Sequence, residues 1–197
     1  MKKWFYLILV LTVFLILAAC GNGDDTGTEE PSDEAPAGQE DNTEGEMPEN
    51  VTVELMNQNE QSVGTAELEE TDAGVVINLD ASDLPSGEFG FHIHENGQCE
   101  APDFESAGGH FNPTDASHGA DHEEGPHAGD LPNLTVGEDG LVQEEITAEG
   151  VTLETGKENS LLDSDGTALV IHEGTDDYES QPSGDAGDRM ICGEISQ

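Results

Sequence analysis

The chain has 197 residues, in which 45 acidic side chains face four basic ones, a formal net charge of −41 at pH 7. Nucleic acid and anionic membrane surfaces are bound chiefly by Lys and Arg, so they are poor partners for such a surface. The charge suits a medium of high salt, which screens repulsion between carboxylates, or an alkaline exterior.

Residues 1–19 read as a targeting segment. Lys2 and Lys3 give it a positive start, and residues 4–17 are apolar but for Thr12. That run falls short of the roughly 20 residues that span a bilayer and fits the apolar region of a signal peptide. It ends in Leu17-Ala18-Ala19-Cys20, which is similar to a bacterial lipobox. In such signals cleavage precedes the cysteine, which then carries lipid. Cys20 would thus hold the mature chain on the extracytoplasmic face of the cell membrane, two or more acyl chains giving stable anchoring where one does not. The alternative is ordinary secretory cleavage that leaves Cys20 free. Loss of the segment removes Lys2 and Lys3 and no acid, so Lys157 and Arg189 remain the basic residues and the charge falls to about −43.

Residues 20–49 read as a lipid-anchored linker, rich in Asp, Glu, Gly, Pro and Thr and without a basic residue. So few apolar side chains cannot offset the entropy of ordering, and disorder is expected, with like charges extending the tether. Residues 50–197 differ in composition. Val51, Val53 and Leu55 alternate with Thr52, Glu54 and Met56, and Val75, Ile77 and Leu79 repeat the pattern. Leu169 and Ile171 do so again with His172 on the opposite face, while Val142, Glu144 and Ile146 alternate less cleanly. Turn signals, among them Pro85-Ser86-Gly87 and Glu138-Asp139-Gly140, separate the runs. Short strands punctuated in this way indicate an all-β antiparallel sandwich or barrel, and about 145 residues suffice for one core.

Six of the seven histidines lie within residues 87–131. In the strand Phe89 to His94, Phe89, Phe91 and Ile93 share one face and His92 and His94 the other. Two neutral imidazoles so spaced can chelate one metal ion, and imidazole suits copper and zinc. Residues 107–131 then form a long loop rich in Gly, Pro, Asp and Ser that carries His110, His118, His127 and Asp130. Loops of this length usually carry function, and three imidazoles with a carboxylate match tetrahedral zinc. His122 lies in a polar stretch with two acids on its C-terminal side and reads as an exposed loop histidine, with an accessory metal contact as the alternative.

Several motifs occur in one order: GFHIHENGQCE from Gly90, GGHFNPTDASHG from Gly108, GPHAGDLPN from Gly125, ALVIHEGTDDY from Ala168 and GDAGDRMICGEI from Gly184. From about Val51 to Ser196 the chain thereby resembles the copper/zinc superoxide dismutases, in a bacterial exported lipoprotein form. The resemblance implies an eight-stranded, immunoglobulin-like Greek-key barrel with two long functional loops, the second at about residues 174–188. It implies copper on His92, His94, His110 and His172, and zinc on His110, His118, His127 and Asp130, with His110 as the bridging imidazolate. Asp176 resembles the carboxylate that links a ligand of each metal, Arg189 the arginine at the mouth of the copper channel, and Cys99 and Cys192 the family's disulfide. With Cys20 given to lipid, those two cysteines form the remaining pair, and an exported protein permits the bond, worth about 4 kcal/mol in the chain-entropy model.

The implied activity is dismutation of superoxide to O2 and H2O2, copper alternating between two oxidation states, His110 carrying a proton and Arg189 docking the anion. The alternative is a non-enzymatic copper- and zinc-binding lipoprotein on the same fold. Monomer and homodimer both remain open.

Overall fold

The computed structural model describes residues 50–197. The targeting segment, Cys20 and the linker lie outside the described residues. The described chain forms nine strand segments, β1 (Val51–Asn57), β2 (Ser62–Thr71), β3 (Gly74–Ala81), β4 (Gly87–Phe89), β5 (Phe91–His94), β6 (Leu134–Val136), β7 (Val142–Ala148), β8 (Thr167–His172) and β9 (Arg189–Ile195). The one helical element among the described residues is a single 3-10 turn, Glu105–Ala107.

All ladders are antiparallel. Seven strands run in the order β5-β8-β9-β1-β2-β3-β7, and β4 pairs with β6. β4 and β5 are two halves of one run broken at Gly90, so the nine segments amount to eight strands. The tight turn after β6, closed by Gly137 N–H donating to the Leu141 carbonyl at 3.2 Å, sets β6 against β7. The sheet thus curls round one core, with non-sequential neighbours where β3 leads to β4 and β7 to β8.

The alternation in β1 and β3 puts Val51, Val53, Leu55, Val75, Ile77 and Leu79 inside. β2 escapes a period-of-two reading because its register shifts opposite Leu55 and Met56, which brings both Val63 and Ala66 inward. Glu144 lies on the core-facing side of β7, and its carboxylate accepts from Thr135 N–H at 3.0 Å. That polar task explains the blurred pattern of β7. A third connection, residues 149–166, supplies Val151, Leu153, Leu161 and Leu162 to the core. Glu70 anchors it by accepting from the Thr152 hydroxyl at 3.0 Å and from Leu153 N–H.

Two strands are buried on both faces. Every residue of β5 and of β8 is buried. Phe91, Ile93, Leu169 and Ile171 fill the main core. On the other face of β8, Ala168 and Val170 meet Phe104, Ala107 and Cys192 in a second cluster. The Cys99–Cys192 disulfide, whose partners are 93 residues apart, ties that covering segment to β9. The free edge of β5 is closed by the long loop, with Phe111 N–H donating to the Ile93 carbonyl and Ile93 N–H to the Gly129 carbonyl, both at 2.8 Å.

Candidate metal centre

His92 and His94 project from β5, and His172 from the end of β8, on the face that turns away from the core. The loop supplies His110, which bridges His94, and Asp130, which bridges His92. Ligating atoms of His92, His94, His110 and His172 lie within 4.8 Å of one another, as do those of His110, His118, His127 and Asp130. His110 belongs to both sets.

The hydrogen bonds settle which ring nitrogen is free. The carboxylate of Asp176 can only accept, so His92 Nε2–H donates to Oδ2 at 2.8 Å and His118 Nε2–H to Oδ1 at 3.0 Å. His94 Nδ1–H donates to the Gly108 carbonyl and His172 Nδ1–H to that of Gly187, each at 3.0 Å. Both Nε2 atoms of this last pair are therefore bare lone pairs, and they face each other at 3.3 Å. His92 Nδ1, His110 Nε2 and His118 Nδ1 are buried without a hydrogen-bond partner. Converging buried lone pairs carry an uncompensated cost that a cation would remove. In the second set, Asp130 Oδ1 lies 2.8 Å from His110 Nδ1 and 3.1 Å from the Nδ1 atoms of His118 and His127. Its Oδ2 accepts from the N–H groups of Gly119 and His127, both at 2.9 Å. The donor chemistry of both sets fits copper and zinc.

Burial favours the neutral form of His92, His94, His127 and His172, the state in which an imidazole ligates. It pushes His94 down to about 2, His172 to about 3 and His92 to about 4, the last in spite of its bond to Asp176. His127 is lowered too, again by burial. Burial is the largest influence on the two carboxyls and pushes them up, but at Asp130 the bonds from His110 and Gly119 and the neighbouring His118 and His127 together outweigh it, and the group ends well below its usual range. The bonds from His92 and His118 do the same at Asp176, which ends at about 2.

Arg189 opens β9, next to His172 in register. Its guanidinium donates from Nη1 to the Phe104 carbonyl and from Nη2 to the Gly108 carbonyl, the group that also holds His94. It stays half-buried at one side of an open cleft of about 490 Å³, which Asp103, Glu105 and Asp188 also line. Desolvation lowers the guanidinium's pKa, against the pull of Glu105 and Asp103. His122 joins neither metal set, and its Nδ1 accepts from Glu124 N–H at 3.1 Å.

Asp188, directly before Arg189, was legible as an acid beside it, but the sequence alone did not reveal the carbonyls of Phe104, Gly108 and Gly187, the acids Asp103 and Glu105 across the cleft, or Asn133. Asn133 frames Asp176 by donating to its carbonyl at 2.9 Å and accepting from its N–H at 3.0 Å. Its place directly after the GPHAGDLP run was the one available signal.

Residues 62–195 match the family model of copper/zinc superoxide dismutase. Superoxide dismutase [Cu-Zn] 1 of Aquifex aeolicus is 51% identical over 143 residues, which cover 72% of this chain and 85% of that protein. A SOD-like protein from Bacillus subtilis superposes with a TM-score of 0.72 at 45% identity, over 76% of this chain and 99% of that one. The Cu/Zn superoxide dismutase from Brucella abortus does so with a TM-score of 0.61 at 31% identity, over 75% of this chain and 99% of that one. On these likenesses the chain belongs to the copper/zinc superoxide dismutase family.

Proposed function

We propose that this superoxide dismutase works at a bridged pair of metals on the outer side of the cell membrane. Copper would be held by His92 through Nδ1 and by His94, His110 and His172 through Nε2. Zinc would be held by His110, His118 and His127 through Nδ1 and by Asp130. The observation that carries this reading is His110. Its Nδ1 lies among the loop donors at 2.8 Å from Asp130, while its Nε2 is buried and unpaired among the other three imidazoles.

Bound copper supplies one-electron chemistry, oxidising one superoxide to O2 and reducing a second, which with two protons becomes H2O2. The chain's own residues provide the rest. His110 Nε2, when free, can hold a proton and pass it to reduced substrate. Asp176 fixes the tautomers of His92 and His118 together, so each set is oriented by a group it shares with the other. Arg189, pinned by two carbonyls, offers an anion a positive group whose direction is set beforehand. All four imidazoles of the copper set are present and converge, which favours the enzyme over a metal-storage protein on the same fold.

Placement outside the membrane rests on Leu17-Ala18-Ala19-Cys20 and the apolar run before it. Metal analysis of the purified protein with a stopped-flow superoxide assay tests the site. One copper and one zinc per chain with fast dismutation is the expected result, and two metals without dismutation would leave the storage reading. Partition into detergent with a lipid on Cys20 tests the anchor, and a wholly water-soluble product with an unmodified N-terminus would remove it.

A further inference from the structure

His118 differs from the other imidazoles in how its backbone is held. His92, His94 and His172 sit in strands, and His110 forms a bridge with His94. His127 closes a turn in which Asp130 N–H donates to its carbonyl at 3.2 Å. His118 lies in no strand or bridge, yet its side chain is fully buried between Asp130 and Asp176. Both of its peptide groups are met by one side chain from the second loop, 63 residues away. His118 N–H donates to Gln181 Oε1, and Gln181 Nε2–H donates to the His118 carbonyl, each at 2.9 Å. The remaining Gln181 Nε2 proton goes to the Glu179 carbonyl at 3.0 Å, which holds the amide in its own loop.

A primary amide with an acceptor and a donor side by side pairs with the two main-chain groups of one residue much as a strand would. It fixes the peptide planes on both sides of His118, and with them the direction of the Cα–Cβ bond. The ring must meet two demands at once, presenting Nδ1 to Asp130 and Nε2 to Asp176. There is no room to tilt, since a Cβ on Gly184 would come within 2.6 Å of His118 Nε2.

We propose that Gln181 is a positioning residue for the zinc set, holding His118 through its backbone and so setting how tightly zinc is kept. This rests on the reading of His110, His118, His127 and Asp130 as that set. Gln181 itself is exposed, so its replacement leaves the core untouched.

The test is transfer of zinc from the full-length holoprotein to a chromophoric chelator, with cobalt(II) substituted for zinc in a parallel sample. Gln181→Ala is expected to release zinc about 10- to 100-fold faster, the usual range for an outer partner of a ligand. The visible bands of bound cobalt should shift, and copper content should stay at the wild-type level. Gln181→Glu keeps the acceptor for His118 N–H, loses the donor to its carbonyl, and should be impaired as well. Should Gln181→Ala not fold, Gln181→Met keeps the bulk, removes all three bonds and carries the same expectation. Release within twofold of wild type, with an unchanged cobalt spectrum, would overturn the proposal. His127→Ala separates the two levels. If it loses zinc while Gln181→Ala does not, only the role of Gln181 fails. If it keeps zinc like wild type, the ligand set itself is wrong.

Discussion

The donors on strands and the donors on the loop are held by different means. His92, His94 and His172 stand on β5 and β8, two paired strands buried on both faces, where the ladder fixes each Cα and a single hydrogen bond fixes each ring. His118 and His127 have no such ladder, and Asp130 meets β5 only through a single bridge to His92. They are held by one carboxylate that gathers three Nδ1 atoms, and by side chains reaching across from the second loop. The lesson is that a rigid sheet can present half a site by pleat alone, while the loop half is built from polar contacts that a metal completes. The strand half should therefore keep its shape without metal better than the loop half does.

The sharpest way to break that comparison is to remove one donor from each side. His172→Ala is expected to abolish copper binding and lower dismutation well over 100-fold, since outer partners alone are worth about 10- to 100-fold, while zinc stays. His127→Ala should lose zinc first and keep copper. Metal content after dialysis checks both, and equal loss of the same metal in the two variants would refute two separate sets.

Among the described residues, Asp176 is the one carboxylate that hydrogen-bonds a ring of each half, at His92 and His118. Asp176→Asn keeps the shape but cannot accept at both oxygens, so it should weaken both metals, by about 10- to 100-fold in affinity. Loss of affinity for only one metal would show that the halves are oriented independently.

A third test uses pH on the metal-free chain. His92, His94 and His172 titrate at about 4, 2 and 3 in the fold, against an ordinary 6.5. Below 6.5 the unfolded chain takes up protons that the folded one refuses, so stability is full above that pH and falls as pH drops toward 4 and below. Asp176, at about 2 against 3.8, adds a further loss below pH 4. Thermal melting from pH 7 to 4 should show a falling Tm, and a flat profile would mean that these rings are more solvated than their burial implies. Replacing His94 with Gln should flatten the slope more than replacing the less deeply buried His127 does.

The smallest expected effect concerns approach to the site. Arg189 attracts an anion locally, but Asp103, Glu105 and Asp188 share its cleft, and the whole chain carries −41. At about 0.15 M salt the Debye length is roughly 8 Å, so salt hides distant carboxylates more than it hides Arg189. kcat/KM should rise, or at least hold, from low to moderate ionic strength, the reverse of an enzyme steered by a positive channel. Arg189→Ala should lower the rate at every salt concentration without removing metal. A steep fall of the wild-type rate with salt would mean that local attraction wins.

Where apolar residues recur at every second position, as in β1 and β3, the strand and its inner face were legible from the residues alone, because a period of two has one physical meaning. The residues that converge on the site were legible too, since imidazole and carboxylate at those spacings have few other uses in so polar a loop. β2 was not, because a bulge breaks its period, nor were the three-residue β4 and β6, which are too short to show one. Tertiary structure alone decided which nitrogen each histidine leaves free, which carbonyls pin Arg189, and that Gln181 reaches His118. These depend on partners such as Gly108 for Arg189, 81 residues away, and Gln181 for His118, 63 away. Main-chain carbonyls have no side-chain signature, and a glutamine in a loop looks like any other until the chain has folded back on itself.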